Sequence, residues 1–297
     1  MVLINNIRLF TKRIKPPGFS GLSIYDVTIF FWKGIMNGSI TTRAASLAFN
    51  FFLAFFPSII VAFTLIPYIP IKDFQQTLMD LIEKILPPLT NTVTFTTIED
   101  IINNPRGGLL SIRFLLALYF STNGVNSLIV AFNASYHINE SRSLIKQRVL
   151  SLMITMILSI LVFISIILII FNQSITHYII EHGLIKVNIQ NIILIGQWII
   201  MITMLFFGIS IVFYLAPAIK SKWKIISAGS IFSTVFIIMT SVLFSYYVDN
   251  FSQYNKIYGS IGTLIIILLW IYFNCITLLI GFELNVSILN AKKRIKI

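Results

Sequence analysis

From Ile257 to Phe282 the chain carries no charged side chain, and a run of that length and composition is read as a helix crossing a lipid bilayer. It sits inside the longer stretch Lys256 to Asn285, around which the remaining sequence is organised. Wound at 100° per residue, Ser260, Thr263, Trp270, Asn274, Thr277, Gly281 and Asn285 fall within an arc of about 100°, opposite a face of Ile and Leu. One side is expected to meet lipid and the other protein.

The rest of the chain repeats the pattern. A hydrophobic fraction of 57 % with 11 % charged residues over 297 positions is too apolar for a soluble domain and fits several spans. The formal charge of +12 raises nucleic acid as a partner, but in a membrane protein cations first report orientation and contact with anionic headgroups. No nucleic acid is expected. The single cysteine, Cys275, lies within the last span and excludes an intramolecular disulfide.

The expected fold class is all-α: a polytopic membrane protein with six transmembrane helices and an amphipathic exterior helical cap. A cytoplasmic basic N-terminal segment (1–43) precedes a membrane domain (44–285) and a basic tail (286–297). The spans are placed at about 44–67, 109–132, 149–171, 192–215, 225–248 and 257–282 from the apolar runs. Within the N-terminal segment, Leu22, Ile24, Val27, Ile29, Phe30, Phe31 and Trp32 make either a short amphipathic segment on the inner headgroups, with Lys33 reaching phosphate, or an ordinary solvated helix.

Polar seams run through the spans. In the first, Ser46, Asn50, Pro57 and Thr64, with Arg43 at the mouth, lie within about 60° of one another, and Pro57 frees a carbonyl that must find a partner. In the second, Asn123, Asn126 and Asn133 share a face and must point into the bundle, because unpartnered amides are expensive in lipid. In the fifth, Ser227, Ser230, Thr234, Ser241 and Ser245 share another, a pattern that lets helices approach closely. The third span is the most lipid-like. Between the first two spans, Lys72 to Leu86 reads as an amphipathic helix, too polar to cross, within the exterior cap.

Cations cluster in the N-terminal segment, in Arg142 to Arg148, in Lys220 to Lys224 and in Lys292 to Lys296, whereas the alternate loops hold Asp73, Asp80, Glu83, Glu99, Asp100, Glu181 and Asp249. By the positive-inside rule both termini are cytoplasmic.

The motifs T-T-R-A-A-S-L-A-F-N-F-F-L-A-F-F-P (Thr41 to Pro57), A-F-N-A-S-Y-H-I-N-E-S-R (Ala131 to Arg142), F-Y-L-A-P (Phe213 to Pro217), and I-Y-G-S-I-G through G-F-E-L-N (Ile257 to Asn285) resemble the YihY/BrkB family of bacterial inner-membrane proteins. The likeness covers nearly the whole chain, in the family's order. It implies a six-helix cytoplasmic-membrane protein whose family names record an association with virulence and an older ribonuclease label. Two departures stand out: Asn123 where the family's second span is usually more basic, and Phe282 in the Ala position of the usual G-A-E-L. With the seams, these motifs define a candidate cavity or gate of Arg43, Asn50, Pro57, Asn123, Asn126, Asn133, Tyr136, Tyr214, Pro217, Tyr258, Gly259, Asn274, Glu283 and Asn285.

Catalytic chemistry finds little support. His177, Glu181 and His182, placed in an exterior loop, form H-x-x-x-E-H, one residue longer than the inverzincin pattern and without a third ligand. A ribonuclease needs clustered metal-holding groups on the cytoplasmic side, which offers Asp26, His137 and Glu140, with Asp26 far from the other two in sequence. There is no Gly-rich phosphate loop. No cofactor, metal or catalytic residue is expected.

Glu283, at the inner end of the last span, needs a partner, and Arg43 at the mouth of the first is at matching depth. The pair either pins two helices together or gates a polar cavity. The expected function is transport or export of a lipid-like or small amphipathic substrate; the alternatives are a non-transporting envelope scaffold and, third, a ribonuclease. Membrane lipids and cytoplasmic anionic headgroups are the expected partners, and homo-oligomerisation is left open.

Overall fold

In the computed structural model, the described residues are 21–37, 39–65, 107–135, 142–181, 189–218, 226–251 and 260–295, with single positions between 12 and 19. They form α1 (Ile24–Asn37), α2 (Ile40–Leu65), α3 (Gly107–Ser135), α4 (Leu144–Glu181), α5 (Ile189–Leu215), α6 (Ala228–Phe251) and α7 (Ser260–Ile295). Five stretches are long and apolar enough to cross a membrane: Phe114–Ser135, Leu144–Ile169, Ile193–Leu215, Ala228–Val248 and Leu264–Arg294. The first expected span corresponds to α2, 26 residues with Pro57 inside, of which Ile40–Phe55 is a shorter apolar helix. The exterior cap, Tyr136, His137, Glu140, the Lys220 to Lys224 turn, Tyr258 and Gly259 lie outside the described residues.

The contacts divide the chain into a larger unit, 1–49 with 125–297, and a smaller one, 50–124. In the larger unit α7 packs on α6 and on α1, α5 packs on α6, and α4 packs on α5. In the smaller unit Gly124 faces Phe51 so closely that a Cβ there would lie 2.8 Å from the ring. Asn50 and Asn123 belong to this unit, and both are half-buried.

Local chemistry sets the helix starts. Ser23 caps α1: its hydroxyl accepts from the Asp26 N–H at 3.2 Å and donates to the Asp26 carboxylate at 2.6 Å, with the acid in the first turn where the helix dipole favours it. Ser227 does the same for α6, accepting from the Ser230 N–H at 3.1 Å. At the corner between α1 and α2, Ser39 has φ 46°, a left-handed conformation that a non-glycine residue adopts at a cost.

Two helices run past their expected ends. At 38 residues α4 is about 57 Å long, well beyond the hydrocarbon core. It continues through His177 to Glu181, so the exterior loop placed there is corrected to helix. The sequence leaves this end open because the segment after Phe171 has no Pro or Gly before Gly183 to stop it. Likewise α7 carries on through the basic tail to Ile295, with Ser287 and Ala291 buried.

Packing follows small residues rather than apolar content. A Cβ on Gly281 would fall on the Ser233 hydroxyl and 2.8 Å from the Gly229 carbonyl oxygen; one on Gly229 would fall on the Gly281 carbonyl and 2.6 Å from Asn285 Cγ. Thus α6 and α7 touch backbone to backbone. The register continues along the pair: the Ser233 hydroxyl donates to the Thr277 carbonyl at 3.5 Å, and the Trp270 indole N–H donates to the Ser241 hydroxyl at 3.3 Å. The polar arc expected on α7 is therefore its contact face with α6. A second close approach joins α4 to α5, where a Gly196 Cβ would meet Asn172, whose amide donates to the Ile193 carbonyl at 3.0 Å.

Candidate functional site

At the basic end of the larger unit, Arg43 on α2 and Glu283 on α7 come together. The guanidinium Nη2 stands 4.0 Å from Glu283 Oε2, with the side chains 12 % and 5 % exposed. That separation is Coulombic attraction without a hydrogen bond. Instead, Arg43 Nη1 donates to the Ala131 carbonyl at 2.8 Å and to the Ser135 hydroxyl at 2.7 Å. Both acceptors lie in the last turns of α3, where the helix dipole is negative and a cation is favoured. Arg43 is thus held by α3 and faces Glu283 across a gap.

Glu283 is enclosed from the other side by α1. A Cβ on Gly34 would fall on the Glu283 carboxylate, 2.6 Å from Cδ, so a larger residue here would have to push the acid from its place. Leu22 and Val27 on the α1 side pack with Ile288 and Ala291 of α7, and the Arg294 guanidinium lies 6.0 Å above the Phe30 ring. One turn of α7 therefore carries a buried acid with a helix seated on it.

Next to it, Phe282 fills the interior. Its ring stacks on Phe132 at 3.9 Å with an 8° interplanar angle, and Phe213 meets both edge-on at 5.4 Å. All three are buried. The departure from alanine at position 282 is therefore a large aromatic plug between α3, α5 and α7, inward of the charge pair.

The asparagines are bound into helix contacts. Asn285 accepts from the Gly229 N–H at 2.8 Å and donates to the Ser227 hydroxyl at 2.9 Å, satisfying an orphan donor at the start of α6 from another helix. Asn126 accepts from the Gln147 amide at 2.8 Å, and Asn133 accepts from the Ala218 N–H at 2.8 Å. Together with Arg142, which donates to the Ala216 carbonyl at 2.9 Å, Asn133 grips both sides of the buried Pro217 turn. Asn274 differs. Its amide donates to its own helix at Trp270, while its buried carbonyl oxygen has no hydrogen-bond partner among the described residues.

Of the sequence-derived set, the structure gathers Arg43 and Glu283 in direct opposition, with Asn285, Asn126, Asn133 and Pro217 in the same unit. Tyr214 is exposed on the outside of α5. Asn50, Pro57 and Asn123 belong to the smaller unit, and Tyr136, Tyr258 and Gly259 fall outside the described residues. Sequence reasoning missed Gly34 and Ser135. Ser135 stands within the A-F-N-A-S-Y motif, one helical turn from Ala131, and that spacing was the available signal. Nothing local marks Gly34. Among the described residues no three His, Cys, Asp or Glu side chains converge as metal ligands.

Comparison with known proteins gives a consistent picture. Residues 31–296 match the family described as virulence factor BrkB. A ribonuclease-like protein of Bacillus subtilis, YfkH, is 28 % identical over 252 residues, covering 85 % of this chain and 91 % of the relative. A UPF0761 membrane protein of Haemophilus influenzae is 23 % identical over 271 residues, 89 % of this chain and 95 % of the relative. One from Psychromonas ingrahamii is 23 % identical over 272 residues, covering 89 % and 88 %. No solved structure matches.

Proposed function

Given that the chain belongs to the virulence factor BrkB family of membrane proteins, we propose that it is a six-span carrier of the bacterial inner membrane, moving a lipid-like or small amphipathic substrate. Its termini are cytoplasmic, and Arg43 and Glu283 form the cytoplasmic gate. The observation that carries this reading is the 4.0 Å separation of two buried opposite charges. A pair serving only to pin helices gains most from direct, short, charge-assisted hydrogen bonds, which repay desolvation. Here Arg43 is anchored by two hydrogen bonds to α3, and its contact with Glu283 stands at 4.0 Å. Such a pair separates without breaking a short hydrogen bond between its two members, as a gate requires.

Asn274 adds support. It lies nine residues before Glu283 on α7, about 14 Å deeper along the axis, and its buried amide oxygen is an acceptor to which a passing polar group can bond.

The test is flux. Purified protein in liposomes should carry a fluorescent short-chain phosphatidylglycerol between leaflets, read by dithionite bleaching, faster than protein-free liposomes do. Glu283→Gln should slow it. Flux no faster than in empty liposomes, with the protein folded, would overturn the carrier reading in favour of a non-transporting scaffold. The aromatic cluster of Phe132, Phe213 and Phe282 is the observation on the scaffold's side, because it fills space between α3, α5 and α7 with packed rings. As for the ribonuclease label carried by the Bacillus relative, this chain should leave RNA uncut with magnesium, manganese or zinc. Cleavage that disappears on mutating His137 or Glu140 would contradict that.

A further inference from the structure

Helix α1 has two faces with different partners. Val27, Phe30 and Gly34 lie on one side, toward α7, with Gly34 against Glu283. On the opposite side Ile29, Trp32 and Met36 project outward with Lys33; Trp32 is 63 % and Met36 68 % exposed. An outward row of one aromatic and two aliphatic side chains beside a lysine is poorly suited to water.

The position of α1 on α7 says what covers that face. It packs at Ile288 and Ala291, between the buried Glu283 and the exposed cations Lys292, Lys293 and Arg294 that close the helix. From Glu283 to Arg294 is about 16 Å along the axis, enough to cross one headgroup layer of about 5 to 8 Å and reach the edge of the hydrocarbon. Thus α1 lies where apolar side chains meet acyl chains and cations meet phosphate.

We propose that the outward face of α1 binds the anionic headgroup layer of the membrane, and that this contact keeps Gly34 seated on Glu283 as a lid over the charge pair. Trp32 and Met36 enter the acyl boundary while Lys33, with Lys292 and Lys293 nearby in the same layer, faces lipid phosphates. Each basic residue near an anionic surface adds about a fivefold preference for it. A membrane rich in anionic lipid therefore holds the lid closed, and a zwitterionic one lets it lift. The gating consequence rests on the carrier reading above; the docking of α1 does not.

The experiment uses the full chain with Cys275→Ala, a buried position, and Met36→Cys carrying an environment-sensitive fluorophore, reconstituted in phosphatidylcholine vesicles with increasing phosphatidylglycerol. Phospholipids brominated high on the acyl chain should quench the label more than those brominated near the chain end, and quenching should grow with the phosphatidylglycerol fraction. Lys33→Glu should raise the fraction needed for half-maximal quenching severalfold. Spin labels at Met36→Cys and Lys293→Cys, both exposed sites, should give one narrow distance in anionic vesicles and a broad distribution in zwitterionic ones. A label quenched by aqueous acrylamide and not by brominated lipid overturns the proposal. So does a label shielded from both, which would place a second copy or another protein on this face. Quenching independent of lipid charge overturns the headgroup reading, and distance distributions that do not change overturn the lid. Absence of lipid flux would leave all these readouts intact, so the two proposals fail separately.

Discussion

Two helices long and apolar enough to cross a membrane have opposite fates in this molecule. In α4, Leu152, Met156, Ile160 and Phe163 project outward over several turns, and few side chains of its membrane window are buried. In α7, Thr277, Leu279, Phe282, Glu283, Asn285, Val286 and Ser287 are buried in near succession. Hydrophobicity does not decide between them, because lipid is as apolar as leucine and exerts no pull toward a protein core. What decides is the ability to bring backbones together and to satisfy polar groups across the contact. The buried stretch has Gly281, Thr277 and Asn285 in register with Gly229, Ser233 and Ser227. Along α4, Ser151, Thr155 and Ser159 hydroxyls donate back to carbonyls of their own helix at 2.8 to 2.9 Å, and the polar contacts to other helices lie toward its two ends, Gln147 to Asn126 and Asn172 to Ile193.

The contrast is broken most severely at Gly281. Gly281→Leu has no space against Ser233 and Gly229 and should cost more than about 3 kcal/mol, since the Gly229 carbonyl is backbone and cannot turn aside. Little folded protein should survive detergent extraction and size-exclusion chromatography. A well-folded Leu variant at wild-type yield would mean that the α6–α7 contact is not the organising one.

Arg43→Gln comes next. It removes the attraction to Glu283 and two hydrogen bonds to α3, so about 3 kcal/mol or more should be lost. Glu283→Gln should cost less, because Arg43 keeps Ala131 and Ser135. A thermal midpoint that falls further for the Gln at 283 than for the Gln at 43 would reverse this reading of which partner is anchored.

Asn285→Ala leaves the Gly229 N–H buried without its acceptor, and about 1 to 3 kcal/mol should be lost, measured by denaturant titration in mixed micelles. At the low end, Ile160→Ala on α4 should change stability by only a few tenths of a kcal/mol, because its side chain trades lipid contact for lipid contact. A loss at position 160 as large as that at 285 would erase the distinction between the two regions.

How far the sequence anticipates this arrangement follows the same division. Spacing alone predicts the polar arc of α7 and the inward direction of Asn126 and Asn133, since a polar group in lipid must find protein. It also places Arg43 opposite Glu283, from depth and charge. The seat of α1 on Glu283 is not legible, because Gly34 is one glycine in an apolar stretch and its role depends on a helix some 250 positions away. The partners Ala131 and Ala218 are equally hidden, being backbone groups common to every residue. The far end of α4 is misjudged as loop because hydropathy ends where the lipid ends, whereas helical hydrogen bonding does not.

The proposed gate at Arg43 and Glu283 is tested most directly by the double variant Arg43→Gln with Glu283→Gln, compared with both single variants in stability and in lipid flux. With the pair gone, neither charge is stranded, so the double variant should recover part of the stability lost by the singles, with a coupling of about 0.5 kcal/mol or more. Its flux should nevertheless stay depressed at all temperatures where it is folded, because the charges themselves do the gating. A stable double variant with wild-type flux would contradict the gate and leave the pair a structural contact only.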